Sequence, residues 1–86
     1  MEVRARIGWN VRRLRVEREL SQDDLAYNAG IERAYVGHLE RGTKNPTLDT
    51  LEKLSKALGT DIADLFIKPP EGAELLRPLK PGRKIS

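Results

Sequence analysis

Residues 32–41 carry the side chains whose types and spacing point to a chemistry. Arg33, Gly37 and Arg41 recur every four residues, which on a helix puts them on one face, with Ala34 and His38 beside them. A guanidinium there has two open uses. It can fork onto the O6 and N7 edge of guanine, a contact worth about 1–3 kcal/mol of discrimination between bases, or it can pair with Glu32, Glu40 or a phosphate. Ala34 has the size to touch a thymine methyl. Glu32 can accept from cytosine N4 or serve as an ordinary helix cap. For His38, the only histidine of the chain, a base, a phosphate and plain solvent are the alternatives. Gly37 is unexpected, because a mid-helix glycine costs roughly 1 kcal/mol relative to alanine. It suits a close approach, either to DNA or to another helix. Reaction chemistry finds little here. With one histidine, no cysteine and no clustered carboxylate pair, the chain offers no thiolate metal site and no reason to expect a cofactor, so a binding role is expected, not an enzyme.

Glycine and proline divide the sequence into the elements that position these groups. A first helix is expected over residues 3–19, where Val3, Ile7, Val11 and Leu14 repeat at four and three. Ser21 with Asp24 three residues on reads as an acidic capping box for a second helix, which turns Leu25, Ala26 and Ala29 inward and stops at Gly30. The third helix covers residues 32–41, with Val36 and Leu39 inward and Gly42 as its stop. Thr47 caps a fourth, whose stripe is Leu48, Leu51, Leu54, Ala57 and Leu58, ended by Gly59. Asp61 caps a short fifth with Ile62, Leu65 and Phe66 inward, and Pro69 and Pro70 close the folded part. No segment alternates as a strand does. The expectation is an all-α domain of five short helices over residues 1–68, followed by a proline-containing basic tail over 69–86.

Eighty-six residues make one domain, only marginally stable alone. Sixteen basic against thirteen acidic residues give a net charge of +3, which permits a polyanionic partner without requiring one. The arginines of residues 1–19 and the basic tail are the visible concentrations. No apolar run approaches the ~18 residues of a membrane span, and the N-terminus is too charged for a signal peptide. A cytoplasmic protein with no membrane partner is expected.

The stretch from Gln22 to Arg41 satisfies the packing needs of a helix-turn-helix, in which two helices cross steeply over a short turn. Ala26 supplies the small residue at closest approach. Gly30, four residues later, supplies the turn, and Val36, six further on, returns into the angle. Leu25, Ile31 and Leu39 complete the wedge. From Ile7 to Phe66 the chain resembles the phage repressor and Cro-type helix-turn-helix family, also called the XRE family. The resemblance rests on Ile7-Gly8, Val11-Arg12, Leu14-Arg15, Leu20-Ser21-Gln22, Leu25-Ala26, Ala29-Gly30-Ile31, Tyr35-Val36, Leu39-Glu40-Arg41-Gly42, Asn45-Pro46-Thr47-Leu48, Leu51, Leu58-Gly59 and Asp64-Leu65-Phe66.

The resemblance implies a transcription regulator that binds double-stranded DNA, with the third helix laid in the major groove and Glu32, Arg33, Ala34, Gly37 and His38 at the bases. It implies phosphate contacts from Gln22, Tyr35, Arg41, Thr43, Lys44 and Asn45, which position without reading sequence. Asp23 and Asp24 would face away. Arg15 and Glu40 look like the family's internal ion pair. Two departures stand out: Glu19 where the family often has glycine, and Glu32 where Ser or Thr is common. A homodimer on two half-sites is implied, with Ile62, Phe66, Ile67 and the end of the fourth helix as its surface, or else as part of the monomer core. Repressor, restriction–modification controller and antitoxin stay open within this class. A protein-interaction module that kept the fold is the alternative, and the tail is free to dock a protein partner, follow DNA or do neither.

Overall fold

The computed structural model describes residues 2–73; Met1 and residues 74–86, most of the expected basic tail, lie outside the described residues. Four α-helices follow one another: α1 (Val3–Glu17), α2 (Gln22–Ala29), α3 (Arg33–Glu40) and α4 (Leu48–Leu58). A 3-10 helix over Ile62–Phe66 comes next, and no strand occurs among the described residues. The all-α class therefore stands, but the fifth helix is corrected to a single short 3-10 segment. Its carbonyls have partners other than a continuing helix. Asn10 Nδ2 lies 3.1 Å from Leu65 O and 2.8 Å from Ile67 O, and Arg6 donates to Phe66 O. The residue ahead of Pro69 is also disfavoured in helical geometry.

Local capping chemistry explains where the helices begin. Ser21 and Asp24 form the reciprocal box at α2, Thr47 Oγ1 accepts from Thr50 N at α4, and Asp61 accepts from Ala63 N at the 3-10 segment. The first helix ends at Glu17, two residues earlier than its pattern suggests. Arg18 caps it, and Glu19 turns the chain in the left-handed region at φ 58°. Gly30 makes the corresponding turn after α2 at φ 72°, where a glycine adopts it without a Cβ penalty.

One core joins all five elements. Ile7, Val11, Leu14, Leu25, Ala26, Ala29, Val36, Leu39, Leu51, Leu54, Leu58 and Leu65 are its buried members. Four expected core residues, Val3, Leu48, Ile62 and Phe66, lie outside it. Val3 and Leu48 are the first residues of their helices and point to solvent, Leu48 being 75% exposed. On the 3-10 segment only Leu65 is buried, leaving Ile62, Phe66 and Ile67 exposed. Asn10 is the polar centre of the core. It is fully buried, with its amide nitrogen near the carbonyls of Arg6, Leu65 and Ile67 and its oxygen accepting from Arg13. The chain stays packed as far as Pro69, which is buried.

Candidate nucleic-acid interface

The orientation of α3 is fixed from behind at three places. Val36 and Leu39 enter the core. At the C-terminal end, the α1 backbone comes so close that a Cβ on Gly8 would sit 2.4 Å from Leu39 O and 2.8 Å from Glu40 O. Beside that contact Glu40, 5% exposed, receives Arg15 Nε at 2.6 Å and Nη2 at 3.1 Å, while Arg15 Nη1 donates to Leu20 O. Gln22 Nε2 adds a third donor to Glu40 at 3.1 Å. One buried carboxylate therefore ties α1, α3 and the start of α2 together. Charge-assisted, forked hydrogen bonds of this kind are about twice as strong as neutral ones.

With Val36 and Leu39 turned in, Arg33, Ala34 and His38 stand exposed on the outer face, and Glu32 lies exposed at its N-terminal edge. Glu32 occupies the cap position of α3 but makes no capping hydrogen bond from its side chain. Arg33 is 65% exposed and pairs with Asp23 at 3.1 Å, so Asp23 faces the outer surface of α3 instead of pointing away from it. The first turn of α2 lies across α3, with Asp23 on Arg33 at its start and Gln22 on Glu40 at its end. Asp24 is held by its own cap: the Ser21 backbone N–H and then the Ser21 hydroxyl, both bonded to it, keep its carboxyl below the usual carboxylate range. Gly37 is not at the surface as expected. It is buried beneath the side-chain ends of Arg41 and of Gln22, the first residue of α2.

The C-terminal end of α3 runs into an exposed polar loop. Thr43 bonds back to His38 O through both its backbone N–H and its hydroxyl, at 3.1 and 2.9 Å. Lys44 Nζ lies 5.4 Å from the centre of the half-buried Tyr35 ring, in cation–π range. Asn45 is exposed next to it. Arg33, Ala34, His38, Arg41, Thr43, Lys44 and Asn45 are thus all exposed on α3 and the loop after it, with Gln22 and Tyr35 half-buried.

A small residue at Ala26, a left-handed turn at Gly30 and a buried Val36 define two helices crossing over three residues, and a helix-turn-helix family model matches residues 11–65. The chain belongs to the helix-turn-helix family. This helix-turn-helix protein is 42% identical over 65 residues to the control protein C.BamHI of Bacillus amyloliquefaciens, a stretch covering 74% of this chain and 80% of that one. The crystal structure of the restriction–modification controller protein C.AhdI from Aeromonas hydrophila superposes with a TM-score of 0.72 at 40% identity, over 73% of this chain and 96% of that one. The controller C.Esp1396I, solved as a tetramer in complex with its natural 35 base-pair operator, gives a TM-score of 0.71 at 27% identity, over 77% and 87% of the two chains.

Two contacts in this helix-turn-helix surface escape a reading of the sequence. Asp23 and Arg33 are ten residues apart, a spacing no single helix joins, so only the interhelical angle reveals the pair. The contact of Gln22 with Glu40 spans eighteen residues and depends on the same angle. Gly8 does leave a trace, as a glycine inside a helix, where it costs roughly 1 kcal/mol relative to alanine.

Proposed function

We propose that this chain is a sequence-specific DNA-binding transcription regulator of the repressor or restriction–modification controller kind, acting in the cytoplasm as a homodimer on a pseudo-palindromic operator. The observation that carries the reading is the outer face of α3, where Arg33, Ala34 and His38 stand in solvent while Val36 and Leu39 hold the opposite face in the core. Such a helix enters the major groove with its N-terminal end toward the bases. Arg33 is the principal reader. To reach guanine it leaves Asp23, and an exposed ion pair of that kind is worth at most about 1 kcal/mol. A forked contact to O6 and N7 is worth roughly 1–3 kcal/mol, so the exchange is favourable. Glu32, Ala34 and His38 flank that contact. Gln22, Tyr35, Thr43, Lys44 and Asn45 hold the phosphates on either side.

Dimerisation follows from the short length of one reading face, which spans a single half-site. Ile62, Phe66 and Ile67 supply an exposed apolar surface for it. The operator-bound tetramer of C.Esp1396I supports both the DNA partner and assembly. Residues 1–68 act as the DNA-binding domain, and Pro69, the first residue of the basic tail, is packed with it.

Selection of bound duplexes from a random pool tests the proposal. The expected product is an inverted repeat with half-sites about one DNA turn apart. Arg33→Ala should relax the preference at one base pair per half-site. Lys44→Ala should weaken all sequences alike and lower the salt slope by about one. A pool with no enriched sequence, or two variants that behave alike, overturns it.

A further inference from the structure

Gly37 lies in the middle of the α3 face assigned to DNA and yet is buried, and the atoms covering it belong to residues that would otherwise sit at the rim. Nearest to the place its Cβ would take are Arg41 Nη1 at 3.6 Å, Gln22 Oε1 at 3.8 Å and Arg41 Nη2 at 4.0 Å. Arg41 caps the C-terminus of α3. Helical side chains lean toward the N-terminus over the residue four before them. Its guanidinium therefore lies back by about one turn, ~5.4 Å, toward the end of the helix that faces the bases. A methyl at position 37 would only touch it, at ordinary van der Waals distance. Any longer side chain would stand where the guanidinium lies.

One neighbour bonds that guanidinium and a second shares the space above Gly37 with it. Arg41 Nη2 donates to His38 Nδ1 at 3.1 Å. Gln22 presents its oxygen on the other side and cannot turn its amide round, because Glu40 only accepts and holds Nε2 at 3.1 Å, while Arg15 holds Glu40. The imidazole thus bonds the guanidinium, and the Gln22 oxygen faces the same space above Gly37. Among the described residues no carboxylate lies within ion-pair distance of Arg41, whereas Arg33 has Asp23. The arginine of this face that has no carboxylate partner among the described residues is the one the family resemblance places on a phosphate.

We propose that Arg41 is a second base-reading residue, forking onto the O6 and N7 edge of a guanine through the space that Gly37 leaves open. Gln22 acts as a positioning residue for it. This rests on the DNA-binding reading above and reassigns one contact within it. The distinction is chemical: a phosphate accepts any nearby cation, whereas the forked contact to guanine needs the planar donor pair of arginine.

The test is random-pool selection with the full chain as wild type, Arg41→Ala, Arg41→Lys, Gly37→Met and Arg33→Ala, each checked for folding by its thermal midpoint. Arg41→Ala and Arg41→Lys should both lose about tenfold or more of the preference for guanine at one base pair per half-site, a different pair from the one Arg33→Ala relaxes. Gly37→Met should lose the preference at the same pair as Arg41→Ala. The proposal is overturned if Arg41→Lys selects the wild-type site, or if Arg41→Ala weakens all sequences alike with a salt slope lower by about one. Loss at the Arg33 pair overturns it too. Should Gly37→Met fail to fold, the Arg41→Lys result decides alone. A wild type that selects no sequence would instead defeat the DNA-binding reading itself.

Discussion

The arginines of α1 and those of α3 are chemically identical and do opposite things. Arg15 donates to Glu40 and to Leu20 O, Arg18 to Leu58 O and Leu14 O, and Arg6 to Phe66 O. Arg13 reaches Asn10 Oδ1 and lies 5.6 Å over the Trp9 ring. Arg15, Arg18 and Arg6 thereby join α1 and its cap to a carboxylate or carbonyl of another part of the chain. On α3, Arg33 meets only an exposed aspartate and Arg41 only an imidazole. Five arginines stand in α1, yet Arg33, Arg41 and Lys44, on α3 and the loop after it, meet fewer acceptors of the protein's own. What separates the two sets is whether the protein itself already supplies acceptors.

That contrast breaks first on stability. Arg15 is 13% exposed and its partner Glu40 5%, so Arg15→Ala leaves a buried carboxylate with Gln22 as its remaining side-chain donor. Removing one partner of a buried pair costs about 3 kcal/mol or more. Arg33→Ala, at an exposed pair, should change stability by about 0.5 kcal/mol or less. Urea unfolding of the two variants checks this. Equal losses would show that the two sets of arginines are not divided as the geometry divides them.

Glycines sharpen the same comparison. A Cβ on Gly8 would meet the carbonyls of Leu39 and Glu40 at 2.4 and 2.8 Å, atoms of a packed backbone that cannot step aside. Gly8→Ala should therefore cost about 2–3 kcal/mol, a fall in thermal midpoint of roughly 10–20 °C. At Gly37 the nearest atoms are flexible side-chain ends at 3.6 Å and beyond, so Gly37→Ala should stabilise α3 by up to about 1 kcal/mol. Calorimetry of both reads the sign directly. A stabilised Gly8→Ala would mean that the α1–α3 contact is looser than it looks.

Sequence and structure part company where an interaction depends on an angle between elements. Gly30 and Gly59, and the caps Ser21, Thr47 and Asp61, act within a few residues, and all five stand where their residue types place them. The fold and the α2–α3 crossing are legible for that reason. The 3-10 segment is not, because the groups that end it lie on α1, fifty-five to sixty positions away. Within the candidate site, the inward pair Val36 and Leu39 and the outward Arg33, Ala34 and His38 follow from helical periodicity alone. The burial of Gly37 and the Asp23–Arg33 pair do not, since both depend on how long side chains lie across a neighbouring helix. Glu19 shows the converse. Its departure from the glycine of the resembled family is visible in the sequence, and the chain adopts the left-handed turn regardless, at φ 58°. Glu19→Gly should remove that strain and raise stability by about 0.5–1 kcal/mol, or a few degrees in thermal midpoint. No gain would mean that the turn is relaxed with glutamate in place.

The smallest effect concerns the two acids that open α2. Asp23 has its partner across the interhelical angle, and Asp24 has its partner in its own cap, where it accepts from Ser21 N at 3.0 Å. The Ser21 backbone and side-chain hydrogen bonds lower the pKa of Asp24 below its unfolded value. The sign of the linkage follows. A carboxyl depressed by folding contributes stability that is fully present above its unfolded pKa and is lost as pH falls through the folded one. The cap should therefore weaken only under acid conditions below the usual carboxylate range. Asp24→Asn keeps an acceptor for Ser21 but has no proton to take up, so its thermal midpoint should fall less steeply with acidification than that of the wild type. The two curves would then converge at the acid end. Parallel curves down through the carboxylate range would show that the charge on Asp24 adds nothing to the cap. The local partner would then be no better bound than the exposed one across the helix.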